Sequence, residues 1–134
     1  TMKDFKLDSS EDVIDVRDII ARVEDLRHVR GDDLDAEEAL ELTESDATEL
    51  AHLEAVLADL AGNGGDEQFE GDWYPITLIR DSYFTEYARE MLEDCDYISK
   101  DFPHWIEIDW TATARNIRMD YTSTEIDGVI YWYR

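Results

Sequence analysis

Lysine and the other basic residues are scarce in this 134-residue sequence, and they are absent from one long stretch. Its lysines are Lys3, Lys6 and Lys100, and no Lys or Arg occurs between Arg30 and Arg80. Nucleic acids and anionic lipid surfaces are bound through basic patches, so direct binding to either is disfavoured. We therefore expect neither a nucleic acid nor a membrane as partner, and a basic protein is favoured instead.

Cysteine and long apolar runs are also nearly missing. Cys95 is the single cysteine, which excludes an intrachain disulfide and fits a reducing compartment. All purely apolar runs are short, whereas a transmembrane helix needs about 20 predominantly apolar residues. The sequence therefore shows neither a membrane span nor a secretory signal.

Negative charge is what the sequence has in excess. The chain carries 35 Asp and Glu against 12 Lys and Arg, a formal net charge of −23. Residues 1–70 hold 22 of the acidic residues and 6 of the basic ones, and residues 71–134 hold 13 and 6. Small soluble designs aim for a magnitude of about 2–8, and self-repulsion beyond it destabilises the compact state. We infer that the charge has a function.

The first half of the chain has the periodicity of two helices. Apolar residues recur at three- and four-residue steps over residues 13–26, with Ser9 or Ser10 as the expected N-cap and Gly31 as the terminator. A second helical stretch is predicted over residues 35–61, with a new N-cap offered by the segment TESD at residues 43–46. A narrow seam would pair the two helices as a hairpin. The seam consists of Leu50, Leu53, Leu57 and Leu60.

The second half changes character after a glycine-rich segment. Residues 62–72, GNGGDEQFEGD, contain four glycines and predict a flexible connection. Residues 74–79 read as a strand, and a helix is predicted from a cap at Asp81 or Ser82 to about Asp94.

The end of the chain has the clearest local signals. Asp109 is expected to cap a short helix, and Asp127-Gly128 lies between two alternating segments, which predicts a β-hairpin. The sequence therefore predicts an α+β fold. An acidic helical hairpin over residues 1–61 and a connection over residues 62–72 would precede a small β-α-α-β-β module over residues 73–134.

Enzymatic chemistry has little support. Asp33, Asp35, Glu37 and Glu44 match positions 1, 3, 5 and 12 of a calcium-binding EF-hand loop. The reading fails because Glu38 stands where the loop needs glycine. With so many carboxylates, pairs arise at any spacing by chance, so they do not indicate an acid–base pair.

The other usual signatures are missing from the sequence as well. The three histidines have no zinc-ligand spacing with the single cysteine, and no nucleophile motif, phosphate-binding loop or dinucleotide fingerprint occurs. We expect no cofactor, no metal and no enzymatic activity. The four tryptophans are expected to pack in the core and in the hairpin rather than to form a base-stacking platform, since the module is negative.

The segment from Gly31 to Leu60 concentrates the charge, with eleven carboxylates and no Lys or Arg. A continuous helix over residues 32–59 would span about 42 Å and carry one carboxylate per roughly 4 Å, against one charge per about 1.7 Å of duplex DNA. A second acidic helix or a dimer would approach the duplex density. This predicts a DNA mimic that occupies the basic groove of a nucleic-acid-binding protein.

The predicted partner-binding residues fall in two groups. The first group is Asp32, Asp33, Asp35, Glu37, Glu38, Glu41, Glu44, Asp46, Glu49, Glu54 and Asp59. The second group, on the helix of the module and just after it, is Glu86, Glu90, Glu93, Asp94 and Asp96. Four further acids lie on the predicted connection: Asp66, Glu67, Glu70 and Asp72.

Two simpler explanations of the acidity compete with mimicry. Acidic runs are usually solvated helix faces, although that reading does not explain the missing lysines. Halophilic adaptation fits scarce lysine and abundant aspartate, but it should cover the whole surface, and here the charge is concentrated in one half.

The second half also carries a family resemblance. Three elements resemble the C-terminal part of the ArdA-type antirestriction family, which is encoded by phages and mobile elements. They are Tyr83–Ala88 with the acidic helix after it, the segments "IDW", "A-R" and "MDY" within Ile108–Tyr121, and Asp127-Gly128 before an aromatic strand. The resemblance covers about residues 71–134. It implies an acidic DNA mimic, a homodimer like the members of that family, that blocks Type I restriction–modification enzymes. This chain departs from the family by having the acidic hairpin in place of the preceding domain, which leaves an anti-CRISPR role equally open.

These observations lead to three hypotheses. The first is an inhibitor of a bacterial anti-phage defence, acting in the cytoplasm of the infected host on a CRISPR effector or a Type I restriction–modification enzyme. The second is a structural or adaptor phage protein that oligomerises through the leucine seam. The third, an enzyme acting on nucleic acid, would require metal-dependent turnover. The identity of the target, the step that is blocked and the oligomeric state stay open.

Overall fold

The computed structural model describes residues 6–31, 41–99 and 101–134. The fold is α+β, as predicted, with four helices and two antiparallel sheets among these residues. The described chain divides into two compact units. Unit 1 comprises the described residues of Thr1–Asp8 and Ile14–Thr77, and unit 2 comprises Ser9–Val13 and Leu78–Arg134. None of the helices among the described residues is long and apolar enough to cross a membrane.

The first helix, α1 (Val16–Arg30), follows a short strand, β1 (Val13–Asp15). The N-cap is Asp15, whose carboxylate accepts a hydrogen bond from the backbone N–H of Arg17 at 2.9 Å. The predicted cap at Ser9 or Ser10 is therefore wrong, because the intervening residues extend into β1. The predicted end is confirmed, since Gly31 terminates α1 with φ at 94°, a left-handed conformation that glycine adopts without steric cost.

The second helix, α2 (Glu44–Leu60), begins later than residue 35. Thr43 is its N-cap, and the Thr43 hydroxyl accepts from the backbone N–H of Asp46 at 3.1 Å. The N-cap signal in TESD is thus confirmed. Whether the stretch is continuous was left open by the sequence, and it is not one helix over residues 32–59, because residues 41–43 are not helical. The preceding residues 32–40 lie outside the described part of the chain.

The glycine-rich segment is a β-hairpin in unit 1 rather than a mere connection. Strand β2 (Asp66–Phe69) pairs antiparallel with β3 (Asp72–Tyr74). Gly65 precedes β2, and a Cβ at this position would lie 1.8 Å from the backbone oxygen of Tyr74. Glycine here therefore permits a close backbone approach that any other residue would prevent.

The core of unit 1 includes the apolar faces of α1 and α2. Every leucine of the predicted seam is buried, with 0 to 3% of its surface exposed. On α1 the buried side chains are Val16, Ile19, Ile20, Val23 and Leu26. The predicted pairing of the two helices is confirmed, because these stripes bury the apolar surface of both.

Unit 2 contains the predicted β-α-α-β-β order. Its elements are β4 (Thr77–Arg80, beginning one residue before the unit), α3 (Phe84–Asp94), α4 (Trp110–Arg118), β5 (Thr122–Ile126) and β6 (Val129–Tyr133). A short 3₁₀ turn over Asp81–Tyr83 precedes α3, so α3 begins later than expected and ends at the predicted residue. Within unit 2, β4, β6 and β5 lie side by side in that order, and β6 pairs antiparallel with both of its neighbours.

Two local predictions in unit 2 are confirmed. The Asp109 carboxylate caps α4 by accepting from the backbone N–H of Ala112 at 3.0 Å. Asp127 and Gly128 both have positive φ, 52° and 80°, as the turn between two twisted strands requires.

An aromatic cluster forms the core of unit 2. Phe84 is fully buried and meets Tyr121 edge-to-face, with ring centroids 5.0 Å apart, and Trp132 at 6.4 Å. Burial first, and then Tyr87, raise the pKa of Tyr121 to about 12. The expectation that all tryptophans pack in the core or the hairpin is wrong for Trp73 and Trp105, which are exposed.

Candidate acidic surfaces on α2 and α3

Arginines of α1 pair with several carboxylates of α2. The guanidinium of Arg22 donates to both carboxylate oxygens of Glu49, Nε to Oε2 at 2.9 Å and Nη2 to Oε1 at 2.8 Å. Asp46 lies 3.9 Å from the same guanidinium. The two side chains of the first pair are only 15% and 27% exposed. The hydrogen bond from Arg22 lowers the pKa of Glu49 below its usual value, against the opposing effect of burial.

A second arginine of α1 repeats this arrangement. Arg27 donates through Nε and Nη2 to Oε2 of Glu54, at 2.9 and 2.6 Å, and through Nη1 to Glu70. Its guanidinium also lies 5.1 Å from the ring centroid of Phe69. The absence of Lys and Arg from residues 31–60 therefore does not leave all of their charge without a cation, because Arg22 and Arg27 of α1 bind Glu49 and Glu54.

The other carboxylates of the first predicted partner-binding group lie far apart among the described residues. Glu41, Glu44 and Asp59 are exposed. Glu44 and Asp59 are 15 residues apart on α2, which corresponds to about 22 Å at 1.5 Å per residue. Asp32, Asp33, Asp35, Glu37 and Glu38 lie outside the described residues. Within the described range, α2 is not a dense row of available charge.

The acidic residues of the second predicted group lie close together, on α3 and just after its C-terminal end. Glu86, Glu90, Glu93 and Asp94 are all exposed, and their spacing of four, three and one residues places them along one side of the helix. Asp96, also exposed, follows with a positive φ of 58°. From Glu86 to Asp94 the axial distance is about 12 Å, so four carboxylates fall at roughly one per 4 Å. One DNA strand carries one charge per about 3.4 Å.

The described neighbours of this row leave most of its charge facing solvent. Arg89 donates from Nε to Oε1 of Glu93 at 3.2 Å, with both side chains 49% exposed. The Tyr83 hydroxyl lies 3.2 Å from both carboxylate oxygens of Glu90, a contact that does not change the net charge. The row Glu86–Glu90–Glu93–Asp94, with Asp96, is called the α3 acidic row below.

An open groove at the end of α3 was not predicted from the sequence. It has a volume of about 710 Å³ and is lined by the end of α3, by the loop after it and by the first residue of α4. Phe102, Ile106 and Glu107 contribute to its wall. The sequence signal for it is the density of apolar residues in the loop between α3 and α4.

Within the described part of the chain, no three His, Cys, Asp or Glu side chains are grouped so that they could hold a metal ion. Comparison with protein-family models, with curated proteins and with solved structures finds no significant match to this chain.

Proposed function

We propose that this chain is a non-enzymatic inhibitor that imitates DNA and occupies the basic nucleic-acid-binding groove of a bacterial anti-phage defence complex. The observation that carries the proposal is the α3 acidic row. Its carboxylates are exposed, and their spacing along the helix is close to the spacing of charges along one DNA strand. Most carboxylates of α2, in contrast, lie beside arginines of α1 within unit 1.

The resemblance of residues 71–134 to ArdA-type antirestriction proteins supplies the class of target. It implies a Type I restriction–modification enzyme as target, and the acidic row suits the DNA-binding site of a CRISPR effector equally. In either case the protein acts in the cytoplasm of the infected bacterium, and competition with DNA is electrostatic. Its strength should then fall steeply as salt rises, as it does for phosphate contacts.

The alternative of a structural or adaptor protein requires a surface that is buried in this structure. Oligomerisation through the leucine seam needs exposed leucines, but Leu50, Leu53, Leu57 and Leu60 are buried within unit 1. An oligomer formed through that seam would first have to separate α2 from α1. We therefore prefer the inhibitor.

The test is displacement of labelled duplex DNA from a purified Type I restriction–modification enzyme and from a CRISPR effector complex. We expect displacement from one of them, weakening as NaCl rises from about 50 to 200 mM. A triple variant of the row, Glu86→Gln, Glu90→Gln and Asp96→Asn, should inhibit at least about ten-fold less, since each exposed charge contributes up to about 1 kcal/mol.

A second triple variant is the matched control, because it removes the same charge from exposed positions of unit 2 outside the row. It carries Glu11→Gln, Asp120→Asn and Glu125→Gln, and it should inhibit within about two-fold of the parent. Equal losses in both triples would mean that net charge alone acts, and failure to displace DNA from either class of complex would overturn the proposal.

A further inference from the structure

The groove at the end of α3 combines a fixed wall with an open face. Its loop is held by local hydrogen bonds, since the Phe102 N–H donates to the Ser99 backbone oxygen at 3.0 Å and the Ile106 N–H donates to the Pro103 backbone oxygen at 3.0 Å. The Asp109 cap on α4 fixes the far end of the loop. The groove is therefore preformed, which lowers the ordering cost of binding.

Apolar side chains of this groove are left in contact with water. Phe102 is 38% exposed and Ile106 is 41% exposed, and Ile98 and Ile108 also line the groove. Covering apolar surface is favourable by about 25 cal/mol per Å². A volume of about 710 Å³ lies within the usual range for binding pockets, so large apolar side chains of a partner would fit.

Carboxylates at the same groove define the charge of its occupant. Glu93, Asp94 and Glu107 line it, and no Lys or Arg is among the lining residues in the part of the chain that the structure describes, which does not include Lys100. Among the described residues, the ion pair here is that of Arg89 with Glu93, which leaves Asp94 and Glu107 to attract a cation. A nucleic acid would be repelled, and a neutral apolar ligand would leave these carboxylates desolvated without a partner.

We propose that the groove docks a basic protein segment in which a large apolar side chain lies next to Arg or Lys. The apolar side chain packs between Phe102 and Ile106, and the cation pairs with Asp94 or Glu107. The assignment of this segment to the defence complex rests on the proposed function. The groove adds to electrostatic mimicry a contact that DNA itself does not make, and that contact survives salt.

The test uses the full chain and two short labelled peptides as probes, one of Arg and Leu and one with Ser in place of each Leu. We expect the Arg–Leu peptide to bind at least about ten-fold more tightly, and to remain bound at about 0.5 M salt, where exposed charge contacts are screened. The variant Phe102→Ser/Ile106→Ser should abolish the difference between the peptides. The variant Asp94→Asn/Glu107→Gln should weaken both.

Met119→Ser is the matched control, because Met119 is 79% exposed and lies outside the groove lining. It should bind both peptides as the parent does, and thermal unfolding should show that every variant is folded. Equal binding of the two peptides by the parent would overturn the inference, as would an equal loss in Met119→Ser.

The two proposals fail in different ways. If DNA displacement is absent while the peptides are still discriminated, the proposed function falls and the groove stands. If DNA displacement is intact in the parent and in Phe102→Ser/Ile106→Ser, and the peptides are not discriminated, the groove proposal falls and the inhibitor stands.

Discussion

Helices α2 and α3 are both acidic, yet the structure uses their carboxylates in opposite ways. On α2, Glu49 and Glu54 are half-buried and bound by Arg22 and Arg27 of α1. On α3, the acidic row faces solvent, and its described ion pair, Arg89 with Glu93, is itself half exposed. In unit 1 the carboxylates therefore stabilise a pair of helices. In unit 2 carboxylates of the same type remain available to a binding partner.

The density of acidic residues along a sequence does not measure the charge that is available to a partner. Between Arg30 and Arg80 the chain has no Lys or Arg, so the sequence alone gives the carboxylates of α2 no cation. The cations that bind these carboxylates come from α1. Arg22 binds Glu49 and Arg27 binds Glu54, and in each pair the two residues are 27 positions apart in the chain. Packing of α1 on α2, not local sequence, decides which charges are neutralised.

The strongest contrast between the helices is expected in their apolar faces. Leu53→Ala on α2 removes a fully buried side chain and should lower the free energy of unfolding of unit 1 by about 2–5 kcal/mol. Met91→Ala on α3, where the side chain is half-buried, should cost about 1 kcal/mol. Urea unfolding followed by circular dichroism measures both. A cost below about 1 kcal/mol for Leu53→Ala would contradict the burial of the seam.

The ion pairs should show the same contrast on a smaller scale. Arg22→Gln leaves Glu49 half-buried without its bidentate donor and should destabilise the chain by about 1–2 kcal/mol. Arg89→Gln, which breaks an exposed i,i+4 pair, should cost about 0.5 kcal/mol or less. A double-mutant cycle with Glu49→Gln isolates the coupling of the first pair. Equal costs for the two arginine variants would mean that α2 and α3 hold their charges alike.

The acid side of the pH dependence of stability should show the smallest effect, through Glu49 of unit 1. The pKa of Glu49 is lowered in the folded state by the hydrogen bond from Arg22, so its contribution is complete above the usual glutamate pKa of about 4.3. That contribution is lost as the pH falls through the lowered value. Glu49→Gln should therefore flatten the acid side of the stability curve, which urea unfolding at a series of pH values measures.

Much of the fold could be predicted because its signals are local. Gly31 at the end of α1, Thr43 and Asp109 as caps, and the Asp127-Gly128 turn are each determined by a few neighbouring residues. Strand β1 was missed because three residues are too short for an alternation to show. The β2–β3 hairpin was missed because its glycines, of which Gly65 permits a close approach to Tyr74, look like a flexible linker.

The candidate site was only partly predictable. The α3 acidic row was predicted because helical spacing alone places its members on one side. The neutralisation of Glu49 and Glu54 could not be predicted from the sequence, since it depends on how α1 packs against α2. The groove was missed because Phe102, Ile106 and Glu107 come together through loop turns that have no sequence period.

The most direct test compares neutralised variants of the two helices in the same DNA-displacement assay. One carries Glu86→Gln, Glu90→Gln and Asp96→Asn at the α3 acidic row, and the other carries Glu44→Gln, Glu49→Gln and Glu54→Gln on α2. We predict that the α3 variant loses inhibition by about ten-fold or more with stability unchanged. The α2 variant should keep inhibition within about two-fold and unfold more easily. Loss of inhibition in the α2 variant alone, with the α3 variant fully active, would contradict this prediction.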